Sequence, residues 1–261
     1  MSKIRAAFHV HSEWSYDAEL SLTEVAALFR RQRYDAVFMC EHDRGFSSER
    51  LEEYVVACEQ ASGGGSPSSE GGPLLIPGIE YAGPGDRVHV PVWGPVPFLG
   101  EGIPTGELLA EVAKHDGVSV FAHPVRRSAW QSIDPAWLEL FTGIEIWTRK
   151  WDGWAPNPLA CRWAAAHDLV GFGALDLHKP GQTFPLSMEL EIDGPPTVEA
   201  CVEAFRQGRC EARIHGLPVT ALTGGALGRA ARAVERLRRP VWRRARLTRE
   251  RYLRRGRVAH G

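Results

Sequence analysis

The chain has 261 residues, 44% hydrophobic and 24% charged, with a net charge near −1, values ordinary for a soluble globular protein of one barrel-sized domain. The five cysteines, Cys40, Cys58, Cys161, Cys201 and Cys210, form no CxxC pair, which argues against a zinc ribbon and against a disulfide framework. The opening MSKIRAAFHVHSE lacks the apolar stretch of a secretory signal and no run reaches transmembrane length, so a cytoplasmic setting is expected.

Apolar runs alternate with helical patterns, which predicts an α/β architecture with parallel strands. Residues 4–10 read as the first strand. Ser21-Leu22-Thr23-Glu24 opens a helix to about Arg33, with Ser21 as N-cap and Glu24 at the capping-box position. A strand over 35–40 and a helix over 48–59 follow, then a low-complexity glycine- and serine-rich loop at 63–72. Strands are predicted at 74–79, 87–92, 118–122, 143–147, 170–174 and 188–192, and helices at 105–116, 157–167 and 197–207. Charge then changes sharply. Residues 225–261 hold 13 arginines and two glutamates, about +11, which leaves about −12 on the rest of the chain. The expected organisation is a catalytic body over 1–223 and an Arg-rich tail over 224–261.

The chemistry-bearing residues gather at predicted strand ends. His9-Val10-His11 and Asp176-Leu177-His178 each set two ligand-type side chains two residues apart, and on a strand such positions share a face. Imidazole and carboxylate together suit zinc, iron or manganese. Asp17, His42, Glu80, His89 and His123 also fall near strand ends, and in β/α barrels the C-terminal strand ends carry the active site. A single histidine is more often a surface or satisfied core residue, and His115, His167, His215 and His260 are read that way.

In order along the chain, FHVHSEWSYD, CEHD, LLIPGIEY, RVHV, FAHP and GALDLH resemble the motifs of the PHP (polymerase and histidinol phosphatase) domain phosphoesterases. The resemblance spans residues 3–215. It implies a distorted (β/α)7 TIM-like barrel, here with a basic helical tail, and two or three divalent metal ions (Mn, Fe or Zn). The ligands implied by motif are His9, His11, Asp17, His42, Glu80, His89, His123, Asp176 and His178. One departure is visible: the family has Asp before the histidine of its second motif, whereas Glu41 stands here. On a strand Glu41 faces away from the pocket of His42, so a supporting role is expected.

The expected activity is hydrolysis of a small phosphomonoester through a metal-activated hydroxide. Glu80 is the expected bridging carboxylate, and Asp176 or His178 would manage protons. Arg126, Arg127, Arg149 and Lys179, with Lys150 beside them, are expected on loops at the mouth as phosphate contacts. Trp14, Trp130, Trp147, Trp151 and Trp154 cluster near the same loops, where they would either stack on a base or sugar ring or serve as core. Phosphodiester cleavage of short oligonucleotides or nucleotides is the alternative; a metal-dependent amidohydrolase and a non-catalytic binding module come behind it. In the tail, Leu227, Ala230, Val234, Leu237, Val241, Ala245 and Tyr252 recur at near-helical spacing, broken at Pro240. Such a basic amphipathic segment fits an anionic membrane surface, making the protein peripheral there, or a nucleic acid backbone. A solvated terminus or a helix docked on the acidic body would give the same pattern.

Overall fold

The computed structural model describes residues 1–63, 72–85, 87–223 and 225–238. In chain order the first elements are β1 (Ser2–Val10), α1 (Leu22–Arg31), β2 (Ala36–Met39), β3 (Glu41–His42), α2 (Ser48–Ala61), β4 (Leu74–Ile76), β5 (Gly78–Ala82), β6 (His89–Trp93), α3 (Thr105–Lys114) and β7 (Val118–Phe121). They are followed by β8 (Gly143–Thr148), α4 (Arg149–Asp152), α5 (Pro158–Ala166), β9 (Val170–Ala174), β10 (Leu186–Ile192), α6 (Val198–Arg206), β11 (Cys210–Ile214), β12 (Leu217–Pro218) and α7 (Thr220–Thr223). Residues 225–238 are helical. The core of the low-complexity loop and the tail from residue 239, with Pro240, lie outside the described residues.

Local chemistry explains the elements. At α1 the Ser21 hydroxyl accepts from the Glu24 N–H while the Glu24 carboxylate accepts from the Ser21 N–H, so the expected capping box forms. Leu22, Val25, Ala26 and Phe29 of this helix are buried, the one-sided spacing of a helix laid on a sheet. All four residues of β2, Ala-Val-Phe-Met, are buried, as expected for a strand covered on both faces. Pro77 lacks an N–H for the ladder, and the single strand expected over 74–79 is split there into β4 and β5.

The strands form two six-stranded sheets, ordered β12-β11-β10-β1-β2-β4 and β3-β5-β6-β7-β8-β9. The sheets are mixed, which corrects the expectation of parallel strands throughout. β1 pairs antiparallel with β10, and β6 runs against both β5 and β7. β6 follows β5 through a hairpin, a connection too short for the crossover that parallel pairing requires. The ladders do not close into a ring among the described residues. Hydrogen bonds outside them join the sheets: Leu175 and Leu177 donate backbone N–H groups to Phe8 and His9, and His11 donates to Leu177.

Phe8 stacks on Phe38 with centroids 3.8 Å apart, and Trp93, Phe172 and Phe205 surround the pair. This aromatic cluster begins one residue before His9, so the candidate site residue stands directly on the core. Gly78 is required here: a Cβ would collide with the Trp93 indole, whose N–H donates to the Met39 carbonyl at 2.6 Å.

Candidate metal centre

The nine residues expected as ligands converge. Glu80, 1% exposed, lies at their centre. Its Oε1 is 2.9 Å from His89 Nδ1, 3.0 Å from His123 Nε2 and 3.4 Å from His9 Nε2. Its Oε2 is 3.1 Å from His42 Nδ1 and 3.6 Å from His11 Nε2. Asp17 closes the outer side, 3.3 Å from His42 and 3.4 Å from His178. Asp176 Oδ1 stands 3.4 Å from His178, 3.8 Å from His11 and 4.0 Å from His9. His89 is the first residue of β6 rather than a last one. Because β6 runs antiparallel to β5, pairing Ala82 with His89, its start lies at the end of the sheet where β5 finishes.

The backbone departs from a plain strand at these positions. His9, His123 and Asp176 have φ of 63°, 27° and 49°, in the left-handed region that costs most residues roughly 1–2 kcal/mol. At His9 the β1–β2 register shifts between Phe8 and Val10, so His9 and His11 do not share a face by simple alternation. A bulge re-aims a side chain, and the two rings converge to 5.1 Å.

A layer of hydrogen bonds orients the rings. The His9 Nδ1–H donates to Glu145 Oε1 at 2.5 Å, and Glu145 Oε2 accepts from the His123 backbone N–H at 2.6 Å and from the Thr148 hydroxyl. Glu145 is fully buried. The His11 Nδ1–H donates to the Ser15 hydroxyl, which donates to Glu41. Glu41 also accepts from the Ser12 N–H and hydroxyl, so it takes the supporting position that its side of the strand predicts. Burial lifts the Glu41 carboxyl to about 7, against the hydrogen bonds from Ser12 and Ser15.

This layer leaves the Nε2 atoms of His9 and His11 turned toward Glu80 and Asp176. His9 Nε2, His11 Nε2 and His123 Nδ1 are buried without hydrogen-bond partners, a costly condition unless another ligand satisfies them. Three groups of donor atoms, His11/His42/His178, His9/Glu80/His123 and His9/His11/Asp176, each lie within 4.8 Å of one another. Buried imidazoles held by carboxylate or hydroxyl partners, with carboxylates between them, fit divalent metal ions. Charge within the cluster is strongly perturbed. Burial opposes ionisation of Glu80, but His89 and His9 outweigh it and hold the carboxyl well below its usual range. Burial, with His178, His42 and His9 as like charges, pushes His11 well below the usual imidazole value.

The expected phosphate contacts separate. Arg126 reaches the cluster, with Nη1 3.0 Å from His89 Nε2 and its guanidinium over the Trp151 ring. Lys150 Nζ lies 3.0 Å from Asp176 Oδ2, and the Trp151 indole N–H donates to the same oxygen at 2.7 Å. Arg149 instead lies over Trp154 and Phe184, Lys179 pairs with Glu19, and Arg127 is exposed on a left-handed turn. Of the five tryptophans expected at the mouth, Trp151 meets the cluster, 5.8 Å from the His123 ring, whereas Trp147 is core. Residues without a prior expectation join them: Tyr16 stacks on His42, and the Arg44 guanidinium lies over Tyr16. Tyr16, His42, Asp43, Arg44, His89 and Glu101 line a pocket of about 410 Å³ beside the cluster. Glu145 had a legible signal, an acid inside the apolar run Gly-Ile-Glu-Ile-Trp. Tyr16 and Arg44 had none.

No family model matches the chain, and no curated protein matches its sequence. Solved structures do match. A two-domain protein from Bacteroides vulgatus containing a predicted PHP-like metal-dependent phosphoesterase superposes with a TM-score of 0.59 at 20% identity, over 83% of this chain and 66% of that one. The chain has the PHP fold. PsfC from Pseudomonas syringae shares it at a TM-score of 0.59 and 14% identity, over 93% of this chain and all of that one. An endonuclease Q bound to a duplex with an abasic lesion at its active site shares it at a TM-score of 0.50 and 14% identity, over 82% of this chain and 58% of that one. This chain therefore spans less than two thirds of the Bacteroides and endonuclease Q chains. On the PHP fold as it stands here, the Glu80 cluster occupies one end of both sheets. No helix among the described residues is long and apolar enough to cross a membrane.

Proposed function

We propose that this protein is a metal-dependent phosphoesterase acting on a small phosphomonoester, its two sheets forming a distorted barrel whose mouth is the Glu80 cluster. The observation that carries the reading is the set of buried imidazoles gathered around one carboxylate, two of which, His9 and His11, turn an unpartnered Nε2 toward it. His9, His11, Asp17, His42, Glu80, His89, His123, Asp176 and His178 would hold two or three divalent ions. Bound Mn, Fe or Zn supplies Lewis acidity and lowers the pKa of water toward neutrality. The chain supplies the rest. Glu145 fixes the His9 ring, Ser15 and Glu41 fix His11, and Asp176 and His178 take and return protons. Arg126 and Lys150 hold the phosphate oxygens at the rim. The pocket beside Tyr16 and Arg44, about 410 Å³, has the size of a small-ligand site, which favours a monoester over a nucleic acid chain.

Diester cleavage is the second reading, favoured by the fold shared with an endonuclease Q. Arg127, Arg149 and Lys179 lie far enough out to meet a longer substrate rather than the reacting phosphate. A Glu80 carboxylate at the centre, where amidohydrolases use a modified lysine, speaks against amide hydrolysis. The test is phosphate release by metal-analysed protein supplied with Mn, Fe or Zn, on p-nitrophenyl phosphate and bis-p-nitrophenyl phosphate. Faster monoester turnover, abolished by His9→Ala, is expected. Diester turnover alone would transfer the reading to nuclease chemistry, and metal-replete protein inactive on both would end it.

A further inference from the structure

We propose that the C-terminal helix (225–238) supports the candidate site from outside, through the turn that ends α4, and that Glu235 is a positioning residue for Asp176. The inference rests on the metal-dependent reading above, and concerns how one expected ligand is held. The helix carries four arginines and a single acid, and that acid is turned inward: Glu235 is 6% exposed. Its Oε2 accepts from the Trp154 backbone N–H at 3.0 Å, and Arg238 pairs with both carboxylate oxygens at 2.8 and 2.9 Å. Gly153, with φ 84° and ψ −126°, lies so close that a Cβ would collide with the Glu235 carboxylate. The contact is thus made to one turn of backbone, at a position where only glycine fits.

That turn leads straight to the cluster. Gly153 ends α4, and its carbonyl accepts from the Trp147 indole at 3.0 Å. Asp152 accepts from the Thr148 N–H at 2.8 Å, and the Thr148 hydroxyl donates to Glu145, the partner of His9. From α4 itself, Lys150 and Trp151 hold Asp176 Oδ2, which leaves Oδ1 toward His9, His11 and His178. Asp176 therefore offers one oxygen to the cluster, and α4 decides which. Apolar packing does little to hold the helix in place: Leu227, Val234 and Leu237 are 65%, 57% and 76% exposed. Arg232, Glu235 and Arg236 line a cavity of about 350 Å³ together with Asp152 and Asn157. Among the described residues the Glu235 carboxylate makes a buried polar contact from this helix to the α4 turn, and its loss should loosen that turn without dismantling the core.

The experiment compares the full-length wild type with Glu235→Ala and Glu235→Gln. The Trp151 indole N–H resonance of the metal-free protein, assigned with Trp151→Phe, reports the bond to Asp176. Mn²⁺ affinity by calorimetry and the melting temperature are read alongside. Glu235→Ala should shift or broaden the indole resonance and weaken Mn²⁺ binding about tenfold, the low end for lost outer-shell support, with little change in melting. Glu235→Gln, which keeps an acceptor for the Trp154 N–H, should fall between; it also decides the matter if the alanine variant does not fold. An unchanged indole resonance and Mn²⁺ affinity in a variant that merely melts earlier would overturn the proposal. Wild type that binds no Mn²⁺ would defeat the functional reading instead, and the metal-free indole measurement would still decide this one.

Discussion

The floor and the rim of the site are built in opposite ways. On the floor, His9, His11, Glu80, His89, His123, Asp176 and His178 are at most 7% exposed, stand at the ends of strands, and are oriented by buried partners such as Glu145 and Glu41. On the rim, Tyr16, Lys150 and Arg126 sit on connecting segments, with Tyr16 67% and the Lys150 side chain 34% exposed. Strand ends give the floor fixed positions, so its chemistry is preorganised. Loops give the rim freedom, and loops are where recognition usually varies. The floor should therefore decide whether reaction occurs, and the rim which substrate enters.

The largest expected effect tests the floor. Glu80→Gln removes the charge facing five histidines, and should lower kcat/KM by about 10²–10³-fold, the scale of a lost electrostatic stabiliser. A phosphate-release assay with metal content measured in parallel would show it, and near wild-type turnover would remove the floor from the chemistry. Glu145→Ala comes next. It strands the His9 ring, the His123 N–H and the Thr148 hydroxyl, with a stability loss of about 1–3 kcal/mol and a fall in metal affinity of about 10–100-fold. Denaturant unfolding and calorimetry separate the two losses.

The rim should respond differently. Arg126→Ala should raise KM for a phosphomonoester roughly tenfold, the loss of one charge-assisted bond, while the melting temperature holds. Arg149→Ala, whose guanidinium lies over Trp154 and Phe184, should leave KM in place. Equal effects from Arg126 and Arg149 would erase the distinction between inner and outer rim. The smallest effect concerns the thiols. Burial pushes Cys161 up to about 11, and Cys201 and Cys210 up to about 12. At pH 8 these groups stay protonated and are poor nucleophiles, so the folded protein should react with a disulfide reagent far more slowly than the unfolded chain.

The same division sets how much the sequence reveals. The floor was legible because each of its residues follows an apolar run, and strand ends in α/β folds gather side chains at one place. Asp17 stands in the loop after β1, with its side chain 39% exposed. β6 was placed correctly, but not its direction: a strand's composition does not state which way it runs, and the short connection between β5 and β6 carried that information instead. β11 went unread because Cys-Glu-Ala-Arg-Ile alternates too weakly to stand out, and β10 supplies its partner groups. Rim residues were expected from their neighbours in sequence, yet adjacent Arg149 and Lys150 point to different surroundings. One residue turns a side chain by a large angle on a short helix such as α4, and nothing local fixes which of the two faces the cluster.

The left-handed backbone at His9, His123 and Asp176 inverts an ordinary ranking. In a strand, glycine is worse than alanine by roughly 0.5–1 kcal/mol, because its unfolded chain has more freedom to lose. At φ 27° the Cβ of an alanine is the greater burden. His123→Gly, which keeps the backbone N–H bonded to Glu145, should therefore be more stable than His123→Ala. The backbone at this position thus favours glycine over alanine, and any side chain there, the imidazole included, is carried at a conformational cost.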